Sequence, residues 1–61
     1  MITPDSLREA AQRFAARTDH FAIRKAEICL DLANKLQVYG RFASEKQESF
    51  AGTLINWSRL I

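Results

Sequence analysis

The chain has 61 residues, 48% of them hydrophobic and 26% charged, and a net charge of +2 from nine basic and seven acidic side chains. That is one domain at most, with the composition of a soluble globular protein rather than a disordered tract, and a chain this short buries only about 60% of the surface its unfolded form exposes. A single cysteine and a single histidine exclude an internal disulfide and a four-ligand zinc site within one chain, so tight helix packing or another chain must supply what a small core lacks.

No run of apolar residues is long enough to span a bilayer. The opening Met1-Ile2-Thr3-Pro4-Asp5 has neither the basic segment nor the apolar segment of a secretory signal. With one free thiol, these features lead us to expect a cytoplasmic protein.

Thr3-Pro4-Asp5-Ser6 reads as a helix start. Thr3 can cap, proline fits the first helical position, and Asp5 suits the positive end of the helix dipole. Leu7, Ala10, Ala11, Phe14 and Ala15 then recur at helical spacing, a narrow stripe of small residues that allows a neighbour to approach closely. Glu9 and Arg13 form an i,i+4 pair, and Arg13 and Arg17 fall near the end of this helix, where cations are favoured.

Thr18-Asp19 marks the next junction, and either residue can cap a helix beginning near His20. The connection is two or three residues long, which suits antiparallel neighbours. From His20 to Tyr39, the apolar residues Phe21, Ala22, Ile23, Ala26, Ile28, Cys29, Leu30, Leu32, Ala33, Leu36 and Tyr39 cover well over half the helix circumference. Arg24, Glu27, Asp31, Asn34 and Lys35 share the remaining strip with Val38. So wide an arc needs cover on two sides, which places this helix at the centre of three.

Gly40 supplies the left-handed residue that ends a helix without steric cost. Ser44 stands three residues before Gln47, the capping-box spacing, which predicts that Ser44 accepts from the Gln47 amide and that Gln47 returns to the Ser44 amide. A third helix follows to about Leu60, with Phe50, Ala51, Leu54, Ile55, Trp57 and Ile61 on its apolar face. Gly52 inside it costs about 1 kcal/mol relative to alanine and leaves room for a close neighbour.

Candidate chemistry is sparse. His20 and Cys29 are the one thiol–imidazole pair, but nine positions along a helix turn them to opposite sides, about 180° apart. Cys29 reads as a small core residue and His20 as a surface residue. Glu27 and Asp31 share a face at i,i+4, and a solvated surface explains them. No phosphate-binding glycine loop, metal motif or nucleophile elbow occurs. We therefore expect no enzymatic activity, no cofactor, no metal and no small-molecule substrate.

Arg13, Arg17, Arg24 and Lys25 flank the first junction and form a candidate basic patch for nucleic acid. A helix-turn-helix reading of the second junction fits poorly. Its turn is long, and the helix after it opens with Glu45 and Glu48, which phosphate repels. Phe42, two residues past Gly40, either closes the helix end against the core or serves as an exposed anchor with Tyr39 and Arg41.

The run Tyr39-Gly40-Arg41-Phe42-Ala43-Ser44-Glu45-Lys46-Gln47, followed by Phe50-Ala51 and Leu54, resembles a short Gly-x-x-x-Ser-x-Lys-Gln helical segment of small uncharacterised bacterial, phage and plasmid proteins. The resemblance covers residues 39–54. It implies a bacterial or phage origin and assigns no catalytic role.

The sequence thus predicts an all-α protein: a single domain over residues 1–61, a small three-helix bundle with helices at about 3–18, 20–39 and 45–60 and the second helix central. It predicts a protein–protein interaction module, self-associating or bound to another protein through Tyr39, Arg41, Phe42, Trp57 and Leu60, as a modulator of a host protein or a piece of a larger assembly. The alternative is a nucleic-acid-binding domain that uses Arg13, Arg17, Arg24 and Lys25.

Overall fold

A computed structural model describes residues 2–61 and shows three α-helices: α1 (Pro4–Ala15), α2 (His20–Tyr39) and α3 (Glu45–Leu60). They form a small all-α bundle with dimensions of 31 × 18 × 16 Å. The long dimension is the length of α2, since twenty residues at 1.5 Å each span about 30 Å.

Each helix start carries its own cap. Thr3 accepts from the Ser6 amide at 3.1 Å, and the Ser6 hydroxyl oxygen accepts from the Thr3 amide at 2.9 Å. This reciprocal pair uses a serine where the usual signature has glutamate or glutamine. Asp19 caps α2 by accepting from the Ala22 amide at 2.9 Å. Ser44 caps α3 by accepting from the Gln47 amide at 3.2 Å. The Gln47 side chain reaches the Ala43 amide at 2.9 Å, one residue further back than the Ser44 amide expected from the spacing.

Helix α1 stops at Ala15, three residues short of the expected end. The Arg17 amide bonds to the Phe14 carbonyl at 3.1 Å, an i to i−3 bond that tightens the last turn. Asp19 must then be extended, at φ −79° and ψ 153°, to cap α2. Arg17 therefore lies outside α1, and its guanidinium meets the Asp19 carboxylate at 3.0 Å. The anticipated Glu9–Arg13 pair does not form. The other ion pairs among the described residues are Arg8–Asp5 and Lys35–Asp31, both exposed and contributing little.

Asp19 predicts a pH dependence. The Ala22 amide first, and then the hydrogen-bonded Arg17 guanidinium, hold its carboxyl below the ordinary value of 3.8. A carboxyl depressed by folding adds stability that is complete above its unfolded value and is lost as the pH falls through the lower folded value. Asp19→Asn keeps an acceptor at the cap and cannot titrate there. Thermal melts between pH 7 and about 2 should show a shallower acid decline for this variant than for the parent.

Packing is unequal. Helix α1 lies against both other helices, most extensively against α2, while α2 and α3 touch sparsely. Leu7, Ala10, Ala11 and Phe14 are buried on α1, as the stripe predicts, although Ala15 is exposed. Facing them, α2 buries Ala22, Ala26, Cys29, Leu32, Ala33 and Leu36. These mostly small side chains let the two helices meet closely. Helix α3 packs on one flank of α1 and buries Ala51, Leu54, Ile55 and Ser58, while the opposite face of α1, with Glu9, Gln12 and Ala16, stays exposed.

The wide apolar arc of α2 is consequently covered along one stripe only. Phe21, Ile23, Leu30, Val38 and Tyr39 are all exposed. The reason is geometric. With twelve residues, α1 is too short to follow the twenty of α2, and α3 packs on α1 rather than closing over α2.

The second junction is built as expected. Gly40 takes φ 75°, and its amide donates to the Leu36 carbonyl at 2.8 Å. Phe42 turns back and packs, half-buried, on the core, which is the closing role rather than the fully exposed one. The two glycines should respond oppositely to alanine. A Cβ on Gly40 meets open space, so the strained backbone alone decides, and Gly40→Ala should cost about 1 kcal/mol. A Cβ on Gly52 meets Ile2 Cδ1 at 3.6 Å, an ordinary contact, and Gly52→Ala should stabilise by up to about 1 kcal/mol. Urea midpoints for the two variants should move to opposite sides of the parent.

Candidate interaction surface

The sparse meeting of α2 and α3 leaves a seam whose two ends are hollows. At one end, Lys35, Tyr39, Arg41, Phe42, Ala43 and Gln47 surround an open space of about 390 Å³. At the other, a hollow of about 170 Å³ is bounded by Phe21, Lys25, Trp57 and Ile61, with Phe14 at its base and Arg17 and Asp19 at its rim.

Lys25 organises the second hollow. Its ammonium lies 4.5 Å from the centre of the Trp57 ring and 5.7 Å from that of Phe21, so two ring faces attract one cation. Phe21 precedes Lys25 by one helical turn, which is why a single side chain reaches both rings. Trp57 is 46% exposed and Phe21 78% exposed, so both rings remain accessible although Lys25 lies over one face of each.

These positions divide the surface expected from the sequence. Tyr39, Arg41 and Phe42 share one hollow, and Trp57 stands at the other. Tyr39 lies eighteen positions after Phe21 on α2, about 27 Å at 1.5 Å per residue. Leu60, at 84% the most exposed large apolar side chain among the described residues, borders neither hollow. Helical spacing alone places Phe21 in the apolar arc of α2 and Lys25 in the basic patch. The i,i+4 spacing of an aromatic and a lysine was the available signal for the pair.

The basic patch also divides. Arg17 and Lys25 line one hollow. Arg24 points about 100° away from Lys25 around α2 and lies with His20, Ile23 and Glu27 on another face. Arg13 is exposed near the end of α1. Arg17 is already occupied by Asp19.

The remaining candidates stay apart. Cys29 is fully buried, and burial pushes its thiol pKa up, away from the reactive thiolate. His20 is exposed on the opposite side of the helix. Asp31 pairs with Lys35 at 3.0 Å rather than gathering with Glu27 around a cation. Among the described residues, no group of three or more His, Cys, Asp or Glu side chains could hold a metal ion, and no helix is long and apolar enough to cross a membrane.

No protein family, curated protein or solved structure matches this chain.

Proposed function

We propose that this chain is a small non-catalytic interaction module that acts by occupying the surface of a protein partner. The observation that supports this most directly is the amount of large apolar side chain left outside a bundle of this size. Phe21, Tyr39, Phe50, Trp57 and Leu60 are all exposed, and all but Leu60 flank the seam where α2 and α3 meet sparsely. Scattered exposed leucines are ordinary on a protein surface, whereas clustered aromatics beside arginine and lysine are the usual anchors of interfaces. A bacterial or phage setting belongs to this reading, supported by the resemblance at residues 39–54.

A second reading draws on the hollow formed by Arg17, Lys25, Phe21 and Trp57. Aromatic faces beside cations also suit single-stranded nucleic acid. A tagged pull-down from bacterial lysate, run with and without nuclease at moderate salt, separates the two. The interaction reading expects one protein retained in both arms. Material lost on nuclease treatment, or binding that collapses between about 50 and 200 mM salt, would replace it with the nucleic-acid reading.

A further inference from the structure

We infer that the seam between α2 and α3 receives an amphipathic helical segment of a partner protein, apolar along its inner face and carrying Asp or Glu at both ends. This rests on the interaction reading above and specifies its occupant. The length comes from α2: Phe21 to Tyr39 spans about 27 Å, which a partner helix of about 18 residues matches. Spaced at 100° per residue, Ile28 and Leu32 fall on the same strip of α2 as Phe21 and Tyr39. Phe50 and Trp57 share one strip of α3 in the same way. The floor is therefore apolar along its length, which suits the helix-in-groove mode of recognition.

Charge selects among possible occupants. Four cations line the two hollows, Arg17, Lys25, Lys35 and Arg41; Arg17 is paired with Asp19 and Lys35 with Asp31, which leaves Lys25 at one end and Arg41 at the other without an ion pair among the described residues. Asp19 already accepts from both Arg17 and the Ala22 amide. Each end of the seam therefore keeps one cation that no carboxylate of the chain neutralises, and the two together equal the net charge of +2 on the whole chain. Glu45 and Glu48 border the adjoining hollow, which shares Arg41 and Phe42 with the first, but neither forms an ion pair with Arg41, and Glu27 lies on the outer face of α2 with Arg24. A second copy docked seam to seam about a two-fold axis would set its own cationic ends against these. A nucleic acid needs cations spaced like its phosphates. Here Lys25 and Lys35 are about 15 Å apart, with apolar side chains between them. An apolar helix with acidic ends satisfies both the floor and the rims.

The test uses three peptides of about 18 residues, fluorescein-labelled and free of tryptophan, added to the full chain. The first has leucines at i, i+3, i+4 and i+7 spacing with glutamates at both ends. The second has lysines in place of those glutamates. The third keeps the glutamates and has serine for leucine. Binding is read by anisotropy and by the emission of Trp57, the sole tryptophan. We expect the first peptide to bind at least about tenfold more tightly than the second, to shift Trp57 emission to shorter wavelength, and to bind far more tightly than the third. Lys25→Glu and, independently at the other end, Arg41→Glu should each erode or reverse the preference, with circular dichroism showing an unchanged fold.

Equal binding of the first and second peptides would overturn the acidic occupant while leaving the interaction reading intact. Failure of the first peptide to bind at about 100 µM would overturn the seam as a helix groove, whatever the pull-down retains. So would a stable dimer that buries Trp57 in sedimentation and quenching measurements. Displacement of the first peptide by a single-stranded oligonucleotide would overturn both this inference and the interaction reading.

Discussion

Phe14→Ala is expected to leave the protein largely unfolded. Phe14 is the largest of the fully buried side chains, at 1% exposure. Removing a buried phenylalanine ring typically costs about 3–5 kcal/mol, through lost burial and the cavity left behind. A small domain sits near the low end of the usual stability range of about 5–15 kcal/mol, so the loss consumes most of what holds the fold. The core has little to compensate with. Six of its thirteen buried apolar residues are alanines and one is Cys29, which leaves Phe14, Leu7, Leu32, Leu36, Leu54 and Ile55 as its bulk, with Phe14 the one aromatic ring among them. The same substitution at Phe21, which is 78% exposed, should leave the unfolding midpoint nearly unchanged. Urea titrations followed at 222 nm would show the contrast. A stable, cooperatively folding Phe14→Ala variant would contradict this account of the core.

Trp57→Ala should separate binding from folding. The ring is about half exposed and contacts the Lys25 ammonium across its face. Truncating an aromatic anchor of this kind typically costs 2 kcal/mol or more in affinity, about 30-fold. The loss in stability should be smaller, about 1 kcal/mol, because only part of the ring is buried. Affinity for the partner recovered by pull-down, measured beside the melting temperature, checks both. Tyr39→Ala, at the far end of the seam, should add its own loss nearly independently, since side chains so far apart couple weakly. A Trp57→Ala variant that kept full affinity would remove this end of the seam from the interface.

The helices were legible in the sequence because local chemistry announces them. Thr3-Pro4, Asp19, Gly40 and Ser44 act through groups within four residues of themselves, and all four take the roles their types predict. The stripe Leu7, Ala10, Ala11 and Phe14 was equally plain. Which helix lies between the others was not legible. Counting apolar residues favoured the second helix, yet α1 touches both its neighbours while α2 and α3 barely meet. A wide apolar arc states how much surface seeks cover and not which partner provides it. Ser58 shows the same limit from the other side. It is 1% exposed because its hydroxyl is satisfied by the Ile55 carbonyl at 2.7 Å, a local bond that hydropathy does not register. For the surface, residue types identified Tyr39, Arg41, Phe42 and Trp57 as candidates, but only the packing shows that Trp57 belongs with Phe21 and Lys25 at the other end.

The unequal packing of the three helices also bears on how the protein opens. Half of the ten side chains that α1 and α2 bury are alanines, which give up no side-chain rotational freedom on assembly, and these two helices share the most extensive contact, so the α1–α2 hairpin is the unit that holds together most readily. Helix α3 is fastened along one flank of α1 and by the Gly40–Ser44 connection. Its amides should therefore exchange with deuterium through a partial opening well below the energy of global unfolding, while those at Ala10, Ala11 and Cys29 wait for the whole molecule to unfold. A partner helix lying in the seam would clasp α3 to α2. Protection gained along α3 would then record binding at amides that the partner never touches.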